Sequence, residues 1–318
     1  MNIEVIGGGA LGLLFAAGAA LGGADTVLYT RTDAQARTIA DRGISWGQGG
    51  QEETQRRIAT NLGARPISAF GGSGRGKPEE RWILLAVKQK DLSPSFIARL
   101  TSGVYEGDRV LCLQNGIGHL ERLAEALPQA VIYAAITTEG ARRPEPDTVV
   151  RAGWGSTVFG IPGSSAEAAE RRNAAEKKLA ETFQAGGLAL AASNEIETAI
   201  YKKLVINAVI NPLTAIWRIE NGRLPESLAR AEFMRKLFDE TLGVYSAAGV
   251  PALEEWWEEL LGVCRSTALN RSSMLEDVSR GRETEAKWIG GGIVELARRS
   301  GTEAPLNEML VHMIEGMR

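Results

Sequence analysis

The segment "IEVIGGGALGLLFAAGAA" constrains this chain more than any other, because Gly7, Gly9 and Gly12 fall at the spacing G-x-G-x-x-G. A short β-like run leads into a glycine turn, and a helix of small and apolar residues follows at once. The first glycine permits a tight turn, the second lets the backbone approach a pyrophosphate, and the third allows close packing of helix on strand. Free N–H groups at the helix start, on Ala10 and Leu11, then face an anion with the helix dipole behind them. A glycine triplet also serves as a plain structural turn. Its position between a strand and a helix, six residues into the chain, favours dinucleotide binding.

The same stretch raises the question of a membrane. Residues 5–24 carry no charge, but they contain seven glycines and the preceding "MNIE" has no lysine or arginine. A secretory signal needs a basic leading region, so a soluble, cytoplasmic protein is expected. Length and charge agree: 318 residues predict about two domains, and 36 basic against 39 acidic residues imply no general attraction to nucleic acid or membrane. Cys112 and Cys264 lie in separate apolar segments and read as buried thiols. No spacing of histidine and cysteine suggests a metal site.

The runs "WILLAVK" (82–88), "DRVLCLQNG" (108–116) and "AVIYAAITTEG" (130–140) are continuously apolar, as parallel strands buried on both faces should be. Each ends in polar or small residues, at Lys88, Asn115 and Thr137, where an open α/β sheet binds its ligand. "DTVLYTR" ends at Arg31, where an NAD-binding chain places an acid; a guanidinium suits the 2′-phosphate of NADP instead, although Asp33 is near. "GGSGRGKPEE" (71–80) predicts a surface loop, and the alternation over 148–161 predicts an antiparallel hairpin. A helix is expected over 165–185.

From about 194 onward helical periodicity dominates, with Asn194 and Glu197 spaced as a capping box. The expected organisation is a Rossmann-type doubly wound domain over 1–192 and an all-α domain over 193–318. The first helix of the second domain, "AIYKKLVINAVINPLTAIW", carries Lys203, Asn207, Asn211 and Thr214 among apolar residues. At about 100° per residue they span an arc of roughly 80°, one narrow face. Burying an ammonium and two amides without partners costs on the order of several kcal/mol, so the stripe reads as a ligand-facing surface, with an exposed amphipathic face as its alternative. Pro212 cannot donate to the carbonyl of Ala208, which leaves a polar notch beside it.

The ordered set of glycine turn, "AVKQKD", "QNGIG", "ITTEGARR", "KLVINAVINPLTA" and "NRSSMLEDVSRGRETE" resembles the ketopantoate reductase family (2-dehydropantoate 2-reductases) over essentially the whole chain. The resemblance implies transfer of hydride from NADPH to the C2 ketone of 2-dehydropantoate, giving pantoate for pantothenate and coenzyme A synthesis. It makes Lys203 the general acid and Glu285 the carboxylate that orients it. Asn207, Asn211, Asn270 and Ser273 become substrate-binding residues. Gly7, Gly9 and Gly12 go to the pyrophosphate, Arg31 to the 2′-phosphate, and Lys88, Asn115 and Thr137 to the ribose and nicotinamide region. The stripe is then expected to face the cleft between the domains. Ser273 with Glu276 also reads as a capping box.

Two departures from the family pattern stand out. Glu139 replaces a histidine after the paired threonines, and "WIGGG" sets three glycines inside an expected helix. Two further functions therefore remain: reduction of another branched 2-keto acid, or NADP sensing without turnover. A sensor needs the glycine turn and Arg31 but not the polar set of the second domain. The Trp256–Trp257 pair reads as a core anchor, with a homodimer patch as its alternative.

Overall fold

Continuous apolar strands imply burial on both faces, and the alternation of side chains shows it. In a computed structural model, which describes residues 1–48, 57–71, 80–164 and 166–317, Trp82 and Leu84 enter one hydrophobic cluster while Ile83 and Leu85 enter another. Nearly all of the loop expected at 71–80 lies outside the described residues. The described chain forms two compact units, one of Met1–Gln114 with His119–Ile196 and the other of Asn115–Gly118 with Glu197–Arg318.

The first unit begins β1 (Asn2–Ile6), α1 (Ala10–Leu21), β2 (Asp25–Thr30), α2 (Asp33–Arg42), β3 (Ile44–Gln48), β4 (Arg57–Ala59) and β5 (Leu62–Pro66). It continues β6 (Arg81–Leu85), α3 (Pro94–Gly103), β7 (Arg109–Cys112), α4 (His119–Ala126) and β8 (Val131–Thr137). Then come β9 (Gly140–Glu145), β10 (Thr148–Gly153), β11 (Thr157–Gly160), α5 (Ala166–Gly186) and β12 (Leu190–Ala192). The main sheet has the order β12-β11-β8-β7-β6-β1-β2-β5. From β8 to β5 the pairings are parallel, and β11 is antiparallel to β8. The chain leaves β1 for β2 on one side and later returns to β6 on the other, so the turn after β1 sits at a topological switch point.

A second sheet, β4-β3-β10-β9, packs on α1, which also contacts β1 and β2 of the main sheet. Residues 12–20 are accordingly all buried. This explains the uncharged stretch at 5–24: it is a central strand and a helix covered on all sides. Among the described residues no helix is long and apolar enough to cross a membrane.

The expected hairpin at 148–161 does not form. β10 pairs with β9 and β3 in the second sheet, whereas β11 pairs with β8 and β12 in the main one. Gly155 lets the connection pass the backbone of Thr138, where an added Cβ would come within 2.4 Å. Alternation reports which residues face inward but not which strand is the partner.

The second unit contains α6 (Ile196–Trp217), α7 (Leu228–Ala247), α8 (Trp256–Ser266), α9 (Ser273–Ser279), α10 (Ala286–Arg299) and α11 (Pro305–Glu315). Its core gathers Leu204, Val205, Val209, Phe238, Tyr245 and Trp256. Trp257 is partly buried with its ring edge-on to Phe238. The capping box expected at Asn194 is replaced: α6 starts at Ile196, and the N–H of Glu195 donates to the Ser193 hydroxyl. Cys112 and Cys264 are buried free thiols, and burial pushes both above the usual range.

The glycine triplet of α10 serves packing. An added Cβ on Gly290 would meet Val311 of α11 at 2.9 Å, and one on Gly292 would meet Ile117 at 2.9 Å. Gly116 and Gly118 take positive φ, which suits glycine, and shape the loop that delivers Ile117 to this helix.

Candidate active site

In the first unit the site is made of backbone. Gly7 has φ 121°, and a Cβ there would lie 2.9 Å from the Ala86 carbonyl. A Cβ on Gly12 would reach 1.7 Å from the Gly7 oxygen, so the helix rests directly on the turn. Gly9 differs, because a Cβ on it would meet nothing within 4 Å. It is the N-cap of α1, with no capping side chain and no acid in the first turn. The first helical bond runs from Leu13 N–H to the Gly9 carbonyl, leaving the N–H groups of Ala10, Leu11 and Gly12 without an intrahelical partner. Open space, unspent donors and a positive dipole end fit a dinucleotide pyrophosphate.

Beyond the turn, Arg31 directly follows β2, and one guanidinium nitrogen contacts the Asp91 carboxylate at 3.0 Å. Lys88 is half-buried just before a one-turn 3-10 helix, Gln89–Asp91. Thr137 is buried, and its hydroxyl lies 2.9 Å from that of Thr157 while accepting the N–H of Glu139. Glu139 is paired with buried Arg151 through both carboxylate oxygens.

The second unit builds its site from side chains. Lys203 is half-buried on α6, and burial pulls its ammonium down to about 8, against the opposing charge of Glu285. Glu285 is the N-cap residue of α10 and accepts a hydrogen bond from the Asn115 amide at 3.0 Å. Asn115 thus belongs with the lysine and glutamate, delivered by the glycine loop that seats Ile117 against α10. Asn207 is half-buried and Asn211 buried on the same face of α6; among the described residues neither amide has a protein hydrogen bond. Two unspent amides beside an ammonium suit a small polar ligand.

At the far end of the stripe, Thr214 is fully buried and its hydroxyl lies 2.7 Å from the Ser272 hydroxyl. Ser272 accepts the N–H of Leu275, so it is Ser272, not Ser273, that caps α9. The expected capping box is therefore one residue out of register. Ser273 stands exposed at the first helical position, and Asn270 is exposed three residues before it. Nothing in the "SS" doublet says which hydroxyl turns inward; the partner, Thr214, is 58 residues away.

Two family models match most of the chain. One described as "Ketopantoate reductase PanE/ApbA" matches residues 3–163, and one described as "Ketopantoate reductase PanE/ApbA C terminal" matches residues 195–318. The chain belongs to the ketopantoate reductase family. It is an oxidoreductase of that family. The 2-dehydropantoate 2-reductase of Bacillus subtilis is 32% identical, with 100% of this chain and 97% of that one covered. The enzyme of the same description from Archaeoglobus fulgidus is 29% identical over 99% of this chain and 97% of its own. In fold, the 2-dehydropantoate 2-reductase of Methylococcus capsulatus superposes with a TM-score of 0.83 at 23% identity, covering 99% and 96% of the two chains. A ternary structure of D-mandelate dehydrogenase with NADH and anilino(oxo)acetate gives 0.84 at 24% identity, covering 100% and 98%.

Proposed function

We propose that this chain reduces 2-dehydropantoate to pantoate with NADPH, a cytoplasmic step of pantothenate and coenzyme A synthesis. The observation that carries the reading is the lysine centre: a half-buried ammonium facing Glu285, with two unspent amides on its own helix face. The names of the relatives support it. Residues 1–192 hold the cofactor in this reading, and 193–318 supply the catalytic and substrate groups.

The nicotinamide cofactor, when bound, supplies hydride to the C2 ketone. Lys203 donates a proton to the carbonyl oxygen as negative charge develops there, so the ketone becomes a hydroxyl. The neutral amine then recovers its proton from solvent. Glu285 favours the charged ammonium and orients it, and Asn115 fixes the carboxylate. Asn207 and Asn211 hold the substrate's hydroxyl and carbonyl groups, with Asn270 and Ser273 completing its binding. Gly7, Gly9 and Gly12, with the N–H groups of Ala10 and Leu11, take the pyrophosphate. Arg31 takes the 2′-phosphate, and Lys88 and Thr137 line the ribose and nicotinamide region.

The test is loss of NADPH absorbance with purified protein and 2-dehydropantoate, run beside NADH and a panel of other 2-keto acids. The fastest turnover is expected with NADPH and 2-dehydropantoate. Faster turnover of another keto acid would transfer the substrate assignment to it, and NADPH binding without turnover of any would make the chain a sensor.

A further inference from the structure

Arg31 is held by an acid that the glycine-turn motif does not contain. Its guanidinium meets Asp91 at 3.0 Å, with the side chains 77% and 28% exposed respectively. Arg31 follows β2, and Asp91 closes the one-turn helix that follows β6. These two strands flank β1 in the sheet, so the pair links the loops on the two sides of the glycine turn.

We propose that Asp91 is a specificity-determining residue that moderates the preference for NADPH over NADH. The inference rests on the assignment of Arg31 to the 2′-phosphate. A phosphate dianion reaching Arg31 must either displace Asp91 or share the guanidinium with it, and both oppose binding, because like charges then lie close together. NADH carries a neutral 2′-hydroxyl there and meets no such opposition. Pre-organisation of Arg31 by Asp91 works the other way. It is the smaller effect, since a single contact on a mostly exposed guanidinium holds it only weakly.

The experiment titrates NADPH and NADH into wild type, Asp91→Asn and Arg31→Ala, following the quenching of protein fluorescence. Asparagine keeps the shape of the side chain and removes its charge. Asp91→Asn is expected to tighten NADPH about 2- to 5-fold, the upper range of an exposed ion pair, and to leave NADH unchanged. The gain should shrink as salt is raised. Unchanged or weaker NADPH binding by Asp91→Asn overturns the proposal while leaving Arg31 in place. Equal loss of both cofactors in Arg31→Ala overturns the 2′-phosphate assignment, and Asp91's role with it. Turnover is not needed for any of these readouts, so failure of the reductase reaction is told apart from failure of this inference.

Discussion

The glycine turn of the first unit and the polar stripe of the second solve opposite problems. The turn works by absence: no side chain, one position open to solvent, and N–H groups left unspent by the helix. The stripe works by presence, placing an ammonium, two amides and a hydroxyl on one face of an otherwise apolar helix. A site built from backbone is intolerant of added volume. A site built from side chains is intolerant of altered chemistry, and it carries the desolvation of its charges in the folded state.

Substitution at the lysine probes the comparison with the largest effect. Lys203→Ala is expected to lower kcat by about 10²- to 10⁴-fold while NADPH still binds, as loss of a general acid should. For the native enzyme, kcat/KM for reduction should fall as pH rises through about 8, because the protonated lysine is the form that donates. A flat profile across that range, or unchanged turnover in the alanine variant, would remove Lys203 from the mechanism.

At the turn, volume alone should decide. Gly12→Ala forces a Cβ to 1.7 Å from the Gly7 oxygen and is expected to destabilise the first unit by about 3 kcal/mol, read from the urea midpoint. Gly9→Ala, where nothing lies within 4 Å, should leave the fold intact and weaken NADPH and NADH alike. Equal stability losses in the two variants would erase the distinction between packing glycine and approach glycine.

Two smaller effects sharpen the picture of the stripe. Thr214→Val removes the buried hydroxyl that donates to Ser272 and should cost about 1 kcal/mol, the net worth of a buried hydrogen bond, since Ser272 keeps the Leu275 N–H. Lys203→Met should stabilise the second unit by about 1 kcal/mol at neutral pH while abolishing turnover, since it removes a half-buried charge. The sign follows from linkage. The folded-state value, about 8, lies below the ordinary 10.5, so the native lysine destabilises below about 8 and this cost fades as pH rises toward 10.5. The gain from methionine should fade over the same window.

Much of this was legible in residues alone. Glycine spacing, apolar strands and the 3.6-residue period are local rules, and each was satisfied within a few positions of where it was written. The stripe of α6 was visible because helix geometry alone sets Lys203, Asn207, Asn211 and Thr214 on one face. The apolar runs declared burial on both sides because successive residues at their centres, such as Trp82–Leu85, are apolar on both faces.

Contacts across the sequence needed the tertiary structure. Ser272 rather than Ser273 turns inward because Thr214 waits there. Asn115 joins Glu285, 170 residues on, because two glycines bend its loop onto α10. β10 and β11 part into different sheets, and Arg31 finds Asp91 60 residues away. Sequence by itself determined the glycine turn, the apolar strands, and the helices over 165–185 and 199–217 with the polar face of the latter, since steric and hydrophobic preferences act over neighbouring residues. Only the tertiary structure decided partners, because two groups distant in the chain meet through the packing of everything between them.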